Sequence, residues 1–259
     1  MQYDAIILAG GKNSDELKEM APCDNEGLIF IGNYPMIYYV YRAVRSSQLI
    51  RNIIICGPEG ELKKHLPQDD ERLFFTTSGD NAMESFQHGV EALKKIEISP
   101  MVLALPTDIP FITTEAIDDF LRRGAEMQAD FCYPVTTKEA NDLKFPGVKR
   151  TYVRLKDGIL TGGNLFLIRS EIIPDCLEIG TQLVERRKNP VAMGRLFGPG
   201  LVIKYLFHCL DIAMIEKRFY KMLGIRGRGI ISPYAEIGVD VDKPSDLQLA
   251  RNYLAGKDY

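Results

Sequence analysis

Short apolar runs rich in isoleucine and valine alternate with helix-patterned stretches through the first half of the chain, and this alternation limits the possible fold more than any other feature. The runs are Asp4–Leu8, Asn52–Cys56, Leu73–Thr76, Met101–Leu105 and Asp130–Pro134. A strand that is apolar on both sides has to be covered on both sides, so the pattern predicts a mostly parallel sheet with helices above and below it. Between the runs, Pro35–Val44 opens with proline at a first helical turn. Asn81–Lys94 has Asn81 as N-cap and Ala82, Phe86, Val90 and Leu93 on its inner face, and Thr113–Arg123 starts with a threonine cap and Glu115 in its first turn.

After Pro134 the pattern changes. Val148–Leu155, a turn at Lys156-Asp157-Gly158 and Ile159–Ile168 predict hairpin strands. Ser170–Leu223 reads as mostly helical, Ala235–Val239 as a strand and Pro244–Leu254 as a closing helix. The expected fold class is α/β, a three-layer α/β/α Rossmann-like arrangement with a mostly parallel mixed sheet. Within Ser170–Leu223, Leu201, Leu206, Phe207, Leu210 and Met214 form an apolar stripe read as core, with a homodimer surface as the other use of this insertion.

Bulk composition narrows the function classes. Lysine and arginine number 32 against 35 aspartates and glutamates, so no bulk charge favours nucleic acid. The five cysteines are scattered, odd in number and without a CxxC pair, which argues against a disulfide framework or structural zinc and suits a reducing, cytoplasmic setting. MQYDAIILAGG lacks the basic start and long apolar run of a signal peptide. Leu201–Ile215 is interrupted by Lys204, His208 and Asp211 and is shorter than the roughly 20 apolar residues of a span, so a buried or substrate-covering helix is expected there rather than membrane insertion.

Three motifs carry the chemistry. Leu8-Ala9-Gly10-Gly11-Lys12 follows the first strand at the sheet's carboxyl edge, where paired glycines let backbone N–H groups approach an anion or base. An ordinary tight turn has the same composition. Pro106-Thr107-Asp108-Ile109-Pro110-Phe111 delivers one aspartate to that edge between stiffening prolines, a position suited to Mg²⁺ bridging phosphates. In Gly238-Val239-Asp240-Val241-Asp242-Lys243-Pro244-Ser245-Asp246-Leu247, alternation puts Asp240 and Asp242 on one side of an extended segment, where either can complete a metal site with Asp108.

These motifs, in this order, resemble those of the MobA-like NTP transferases, a nucleotidyltransferase branch of the GT-A fold. In that group an L-A-G-G loop, a D-x-P-F turn and a D-x-P-x-D-L element stand where this chain has Leu8–Gly11, Asp108–Phe111 and Asp242–Leu247. The last element is also similar to that of the CMP-sugar synthetases, which favours Asp242 as a metal ligand. The resemblance implies one nucleotidyltransferase domain over residues 1–259, with a nucleotide-binding half (1–134) and an acceptor-binding half (135–259) that carries a helical insertion at about 170–223. It implies Mg²⁺-dependent transfer of a nucleoside monophosphate from an NTP, CTP or GTP first, to a small phosphorylated acceptor, with pyrophosphate released. Asp108, Asp242 and Lys12 would be catalytic; Asp108, Asp242 and Asp240 would hold the metal; Leu8, Ala9, Gly10, Gly11, Gly79, Ser85 and Pro106 would line the nucleotide. Gly163, Asn164 and Arg150 would meet the acceptor, Asn164 because an amide both donates to and accepts from hydroxyls, Arg150 as one of a basic group with Lys149 and Arg154. For Asn164 a plain turn role, and for the basic group a solvated edge, are the competing readings.

One position departs from the family. Aligning Gly32-Asn33-Tyr34-Pro35-Met36-Ile37 with the family's G-G-K-P-M-I puts Glu26 where a triphosphate-gripping lysine belongs, and the first-loop arginine is missing too. Lys12 or Lys18 from the loop is then the candidate substitute, or the triphosphate is held mainly by backbone N–H groups and the metal. Two other classes stay open at this point: a GT-A glycosyltransferase with Asp240-x-Asp242 as its D-x-D motif, and a catalytically weakened nucleotide-binding protein.

Overall fold

The protein is described here from a computed structural model, covering residues 2–177, 180 and 198–254. Its centre, among the described residues, is a nine-stranded mixed sheet. The first half contributes β1 (Tyr3–Leu8) to it, while β2 (Phe30–Ile31) and β3 (Tyr34–Pro35) pair with each other outside it. It then adds β4 (Ile50–Cys56), β5 (Leu73–Thr76) and β6 (Met101–Pro106), all parallel to β1 in the order β5-β4-β1-β6. Two single-turn helices, α1 (Asp15–Lys18) and α3 (Glu59–Leu62), lie in the connections. Alternation decides which layer each strand side chain joins. Ile7, Ile53, Ile55, Leu103 and Leu105 pack into one core with α2 (Met36–Ser46) and α5 (Thr114–Glu126), while Ile6, Ile54, Val102 and Ala104 pack into another with Phe86, Val90 and Leu93 of α4 (Ala82–Ile96). These are the three layers and the mostly parallel sheet expected from the Ile/Val runs.

The predicted caps form. Asn81 accepts from the N–H groups of Met83 and Glu84 at 2.9 and 3.1 Å, and Thr113 Oγ1 accepts from Ala116 N–H at 3.2 Å.

The second half departs from the sequence expectation in several places. β7 (Phe131–Thr137) is joined by antiparallel β10 (Phe166–Arg169) near its start and by antiparallel β9 (Gly158–Gly162) near its end. The expected Ile159–Ile168 strand is therefore two strands, broken at Gly163-Asn164-Leu165, and the first hairpin arm shrinks to β8 (Val153–Leu155). The last sheet strand is β11 (Gly227–Ser232), parallel to β7, whereas Ala235–Gly238 makes a tight 3₁₀ turn in place of the predicted strand. A short helix, α6 (Lys138–Lys144), also follows β7.

Of the helical insertion, 178–179 and 181–197 lie outside the described residues. The rest forms helices at Pro199–Leu206 and Ile212–Leu223. The apolar stripe read as core splits: Leu210 is buried, Leu201 and Met214 are half-buried, and Leu206 and Phe207 are 67% and 75% exposed. The segment breaks between the two helices and residues 202–209 are exposed, so of the buried or substrate-covering helix expected there the buried form is not the one found. No helix among the described residues is long and apolar enough to cross a membrane.

A third core positions the site. Val239 and Val241 are buried with Ile29, Ile31, Phe111, Phe145 and, from the closing helix Pro244–Leu254, Leu247, Ala250 and Leu254. Each buried valine contributes about 1.5–3 kcal/mol. That burial orients the extended segment, so the residues between and after the valines, Asp240 and Asp242, turn the other way.

Candidate active site

At the carboxyl edge of the parallel strands, one carboxylate oxygen each from Asp108, Asp240 and Asp242 lies within 4.8 Å of the others. Two features bring them together. Asp108 leaves the end of β6, and the Val241 N–H donates to the Asp108 carbonyl at 2.8 Å, which stitches the Val239–Asp242 segment to the strand end. Alternation in the sequence paired Asp240 with Asp242, either of which was to complete a site with Asp108, and the fold brings all three to one point.

The electrostatics follow from crowding. Burial first, then Glu26, Asp240 and Asp242, hold the Asp108 carboxyl well above the usual carboxylate range. Its Oδ1 is buried and has no hydrogen-bond partner among the described residues. Asp242 is also raised, by burial and then by Asp240, against the pull of Arg150. Arg150 donates to Asp240, so its guanidinium has an internal partner. An orphaned, buried carboxylate oxygen among converging acids, all hard oxygen donors, fits a divalent cation of the Mg²⁺ type.

Next to this cluster lies the glycine turn. Leu8 and Pro106 are register partners across β1 and β6, so the two turns that follow start side by side. Ala9 is buried and its carbonyl accepts from Asn25 Nδ2 at 2.7 Å. Gly10 and Gly11 are half-buried, and none of the hydrogen bonds among the described residues uses their N–H groups or that of Lys12. A Cβ at Gly10 would fall 2.5 Å from Ser78 Cβ, which favours glycine there, whereas one at Gly11 would fall 1.8 Å from Glu26 Oε1 and would displace the Glu26 carboxyl. Lys12 is exposed and has no ion pair among the described residues, whereas Lys18, the other candidate cation, is held by Asp24 at 3.0 Å.

The segment leading into α4 forms the neighbouring wall. Ser85 Oγ accepts from Gly79 N–H at 3.0 Å, donates to the Asn81 carbonyl at 2.9 Å, and lies 3.6 Å from where a Gly10 Cβ would stand. Gly79 and Ser85 thus shape the turn's surroundings, with the Ser85 hydroxyl already engaged. On the acceptor side, Gly163 N–H donates to the Pro134 carbonyl at 2.8 Å, and Asn164 donates to Ile237 O from its backbone at 2.9 Å and from Nδ2 at 3.3 Å. The Gly163 bond ties the β9–β10 break to β7, and the Asn164 bonds tie it to the Ala235–Gly238 turn.

The sequence treated Glu26 only as a departure. In the fold it is a fourth acid of the site. Its N–H donates to Gly11 O at 3.1 Å, the next residue, Gly27, packs on Thr107, and its carboxyl is pushed up to about 7 by burial and by Asp242. Ser78 and Asn25 also went unnoticed. A polar residue at either position leaves no sequence signal until the strands are assembled.

The sequence profile of the MobA-like NTP transferase domain matches residues 5–195. Among solved structures, a hypothetical transferase from Thermus thermophilus is 31% identical, with 95% of this chain and 100% of that one covered and a TM-score of 0.81. A 2-C-methyl-D-erythritol 4-phosphate cytidylyltransferase, also from Thermus thermophilus, is 14% identical over 98% of each chain, TM-score 0.57. CMP:2-keto-3-deoxy-manno-octonic acid synthetase, solved with CTP, is 14% identical over 98% of this chain and 99% of its own, TM-score 0.61. A comparison with curated proteins found no match.

Proposed function

Because the chain belongs to the MobA-like NTP transferase domain family and is a nucleotidyltransferase, we propose that it transfers a nucleoside monophosphate from an NTP to a small phosphorylated acceptor, with Mg²⁺ required and pyrophosphate released. The observation that carries this reading is the convergence of Asp108, Asp240 and Asp242 within 4.8 Å beside a glycine turn with open N–H groups. Asp108 and Asp242 would be the main metal ligands and Asp240 the third, tethered by Arg150. A cation held there would supply positive charge to neutralise the phosphates of the NTP.

The chain's own groups do the rest. The N–H groups of Gly10, Gly11 and Lys12 cradle phosphate oxygens, and the Lys12 ammonium adds positive charge where pyrophosphate leaves. Leu8, Ala9 and Pro106 form the floor, with Gly79 and Ser85 as the wall facing the base. An oxygen of the acceptor phosphate forms a new bond to the α-phosphorus; the bond from that phosphorus to the bridging oxygen breaks, and pyrophosphate leaves with the electron pair. No general base is required, since a phosphate monoester is already ionised at neutral pH. The first half of the chain would serve the nucleotide and the second half the acceptor, within one domain, and Gly163, Asn164 and Arg150 line the acceptor side. CTP and GTP are the first NTPs to test, CTP because the synthetase with the same fold was solved with it. The described cysteines are all free, in keeping with a cytoplasmic setting.

A thermal-shift screen of the four NTPs with and without Mg²⁺ tests the reading, because a bound nucleotide raises the melting temperature by mass action. One NTP should stabilise the protein only when Mg²⁺ is present, and pyrophosphate should then appear in an acceptor screen. Failure of every NTP to bind would sink the proposal.

A further inference from the structure

The face of the sheet that α4 packs on is unevenly covered. α4 lies over β1 and β4, and the helix Ile212–Leu223 lies over the start of β11, where Phe219 and Ile212 pack on Gly227 and Gly229. Between the two helices, apolar side chains reach the surface. Alternation sends Phe131, Tyr133 and Val135 to this face and buries Cys132, Pro134 and Thr136 on the other. Phe166 stands level with Ala104, whose side chain packs in the α4 layer, and Ile231 stands level with Val135. Phe166 and Ile231 are 38% and 37% exposed. The Tyr133 and Phe166 rings stack at 5.3 Å with 25° between their planes, so together they make a nearly flat apolar floor.

The floor adjoins the aspartate cluster on two sides. Phe166 is two residues along from the register partner position of Pro106, about 7 Å inside the edge that Asp108 occupies. Across β7, the Tyr133 hydroxyl lies over Gly162, where a Cβ would fall 2.1 Å from it. The Gly162 carbonyl in turn lies 3.5 Å from where a Gly238 Cβ would stand, two residues before Asp240. Glycine at 162 therefore makes room for the Tyr133 hydroxyl, a use of the Thr161–Asn164 motif that its sequence did not reveal. None of the hydrogen bonds among the described residues uses that hydroxyl, which can both donate and accept.

We propose that Tyr133, Phe166 and Ile231 form the acceptor-binding floor and that the acceptor is a cyclic polyol phosphate. Its ring lies with a C–H face on the two aromatic rings, and one of its hydroxyls bonds to the Tyr133 hydroxyl. This deepens the nucleotidyl-transfer reading and rests on it for the fate of the bound molecule. A ring suits a flat aromatic floor better than an open chain does, because its C–H bonds meet the negative ring faces together and it has less conformational freedom to lose on binding.

The test titrates the full chain in Mg²⁺ with glucose 1-phosphate, myo-inositol 1-phosphate and open-chain glycerol 3-phosphate by calorimetry, with inorganic phosphate as the headgroup alone. At least one cyclic phosphate should bind about tenfold or more tightly than glycerol 3-phosphate. Saturating the protein's aromatic protons should transfer magnetisation to that ligand's ring C–H protons. Phe166→Leu, which keeps an apolar side chain in the fold, should cut the preference about threefold, and Phe166→Ala should cut it further. Tyr133→Phe should weaken the cyclic ligand about three- to tenfold and leave inorganic phosphate unaffected. Cyclic phosphates that bind no more tightly than glycerol 3-phosphate, or a preference unchanged in Phe166→Leu and Tyr133→Phe, would overturn the assignment. Cyclic-phosphate binding that these variants weaken, with no pyrophosphate released from any of the four NTPs, would refute the transfer reading and leave the floor standing. Pyrophosphate release with glycerol 3-phosphate that neither variant alters would do the reverse.

Discussion

An aspartate stands at each edge of the central strands, Asp4 near the start of β1 and Asp108 just beyond the end of β6, and the two edges are treated in opposite ways. At the amino edge, the Asp4 carboxylate is fully buried and fully partnered: Arg51 donates at 3.1 and 3.2 Å, Ser99 N–H at 2.6 Å and Asn52 Nδ2 at 3.1 Å. At the carboxyl edge, Asp108 has an orphaned oxygen and faces three further acids. A buried carboxylate supplied with every donor it can use is part of the scaffold. One kept short of donors among like charges is unfavourable when ionised, which a bound proton or a bound cation relieves, and such groups collect at binding sites.

Substitutions can break this contrast. The largest effect is expected at the amino edge: Asp4→Ala leaves Arg51 and the Ser99 N–H without their partner and should cost about 3–5 kcal/mol in urea unfolding. The next is a pH effect at the other edge. Glu26 rises from its ordinary 4.5 to about 7, so the folded state holds this proton more tightly than the unfolded chain. Its stabilising contribution is complete below pH 4.5 and is lost as pH rises through about 7, and Asp108 and Asp242 add to the same trend. Metal-free protein should therefore lose up to about 3 kcal/mol across that window. Melting curves in saturating Mg²⁺ should flatten the profile; a stability that instead rises with pH would contradict the arrangement.

Neutralising the orphan should then do the opposite of neutralising Asp4. Asp108→Asn should stabilise metal-free protein by about 1–2 kcal/mol while lowering pyrophosphate release by about 10²–10³-fold. Equal destabilisation by Asp4→Ala and Asp108→Asn would erase the distinction between the edges. The smallest effect is expected for Lys12→Ala, which should leave stability within about 0.5 kcal/mol and appear only as weaker NTP binding in calorimetry.

Much of this was legible beforehand because it depends on short-range rules. The Ile/Val runs became β1, β4, β5 and β6, and the Asn81 and Thr113 caps formed, since burial on both faces and cap hydrogen bonds act within a few residues. Asp240 and Asp242 turned the same way because alternate residues of an extended segment do. The reading failed where distant partners decide. Gly227–Ser232, for which the sequence predicted no element, pairs along β7, and Ala235–Val239, predicted as a strand, is curled into a turn held by Asn164. Exposure of Leu206 and Phe207 was equally hidden, because helical spacing states which residues share a face and nothing of what that face meets.

By itself, then, the chain's order of residues determined the layered α/β class, the edge at which its motifs collect, and the three aspartates to watch. Tertiary structure alone decided that Glu26 joins them, that Lys18 is spent on Asp24 while Lys12 has no ion pair among the described residues, and that Arg150 answers Asp240. The reason is physical. Backbone period and capping are local, whereas the charge felt by a carboxylate is a sum over groups from β1, β6, the Glu26–Leu28 turn and the segment before the last helix, which meet only when the sheet is complete.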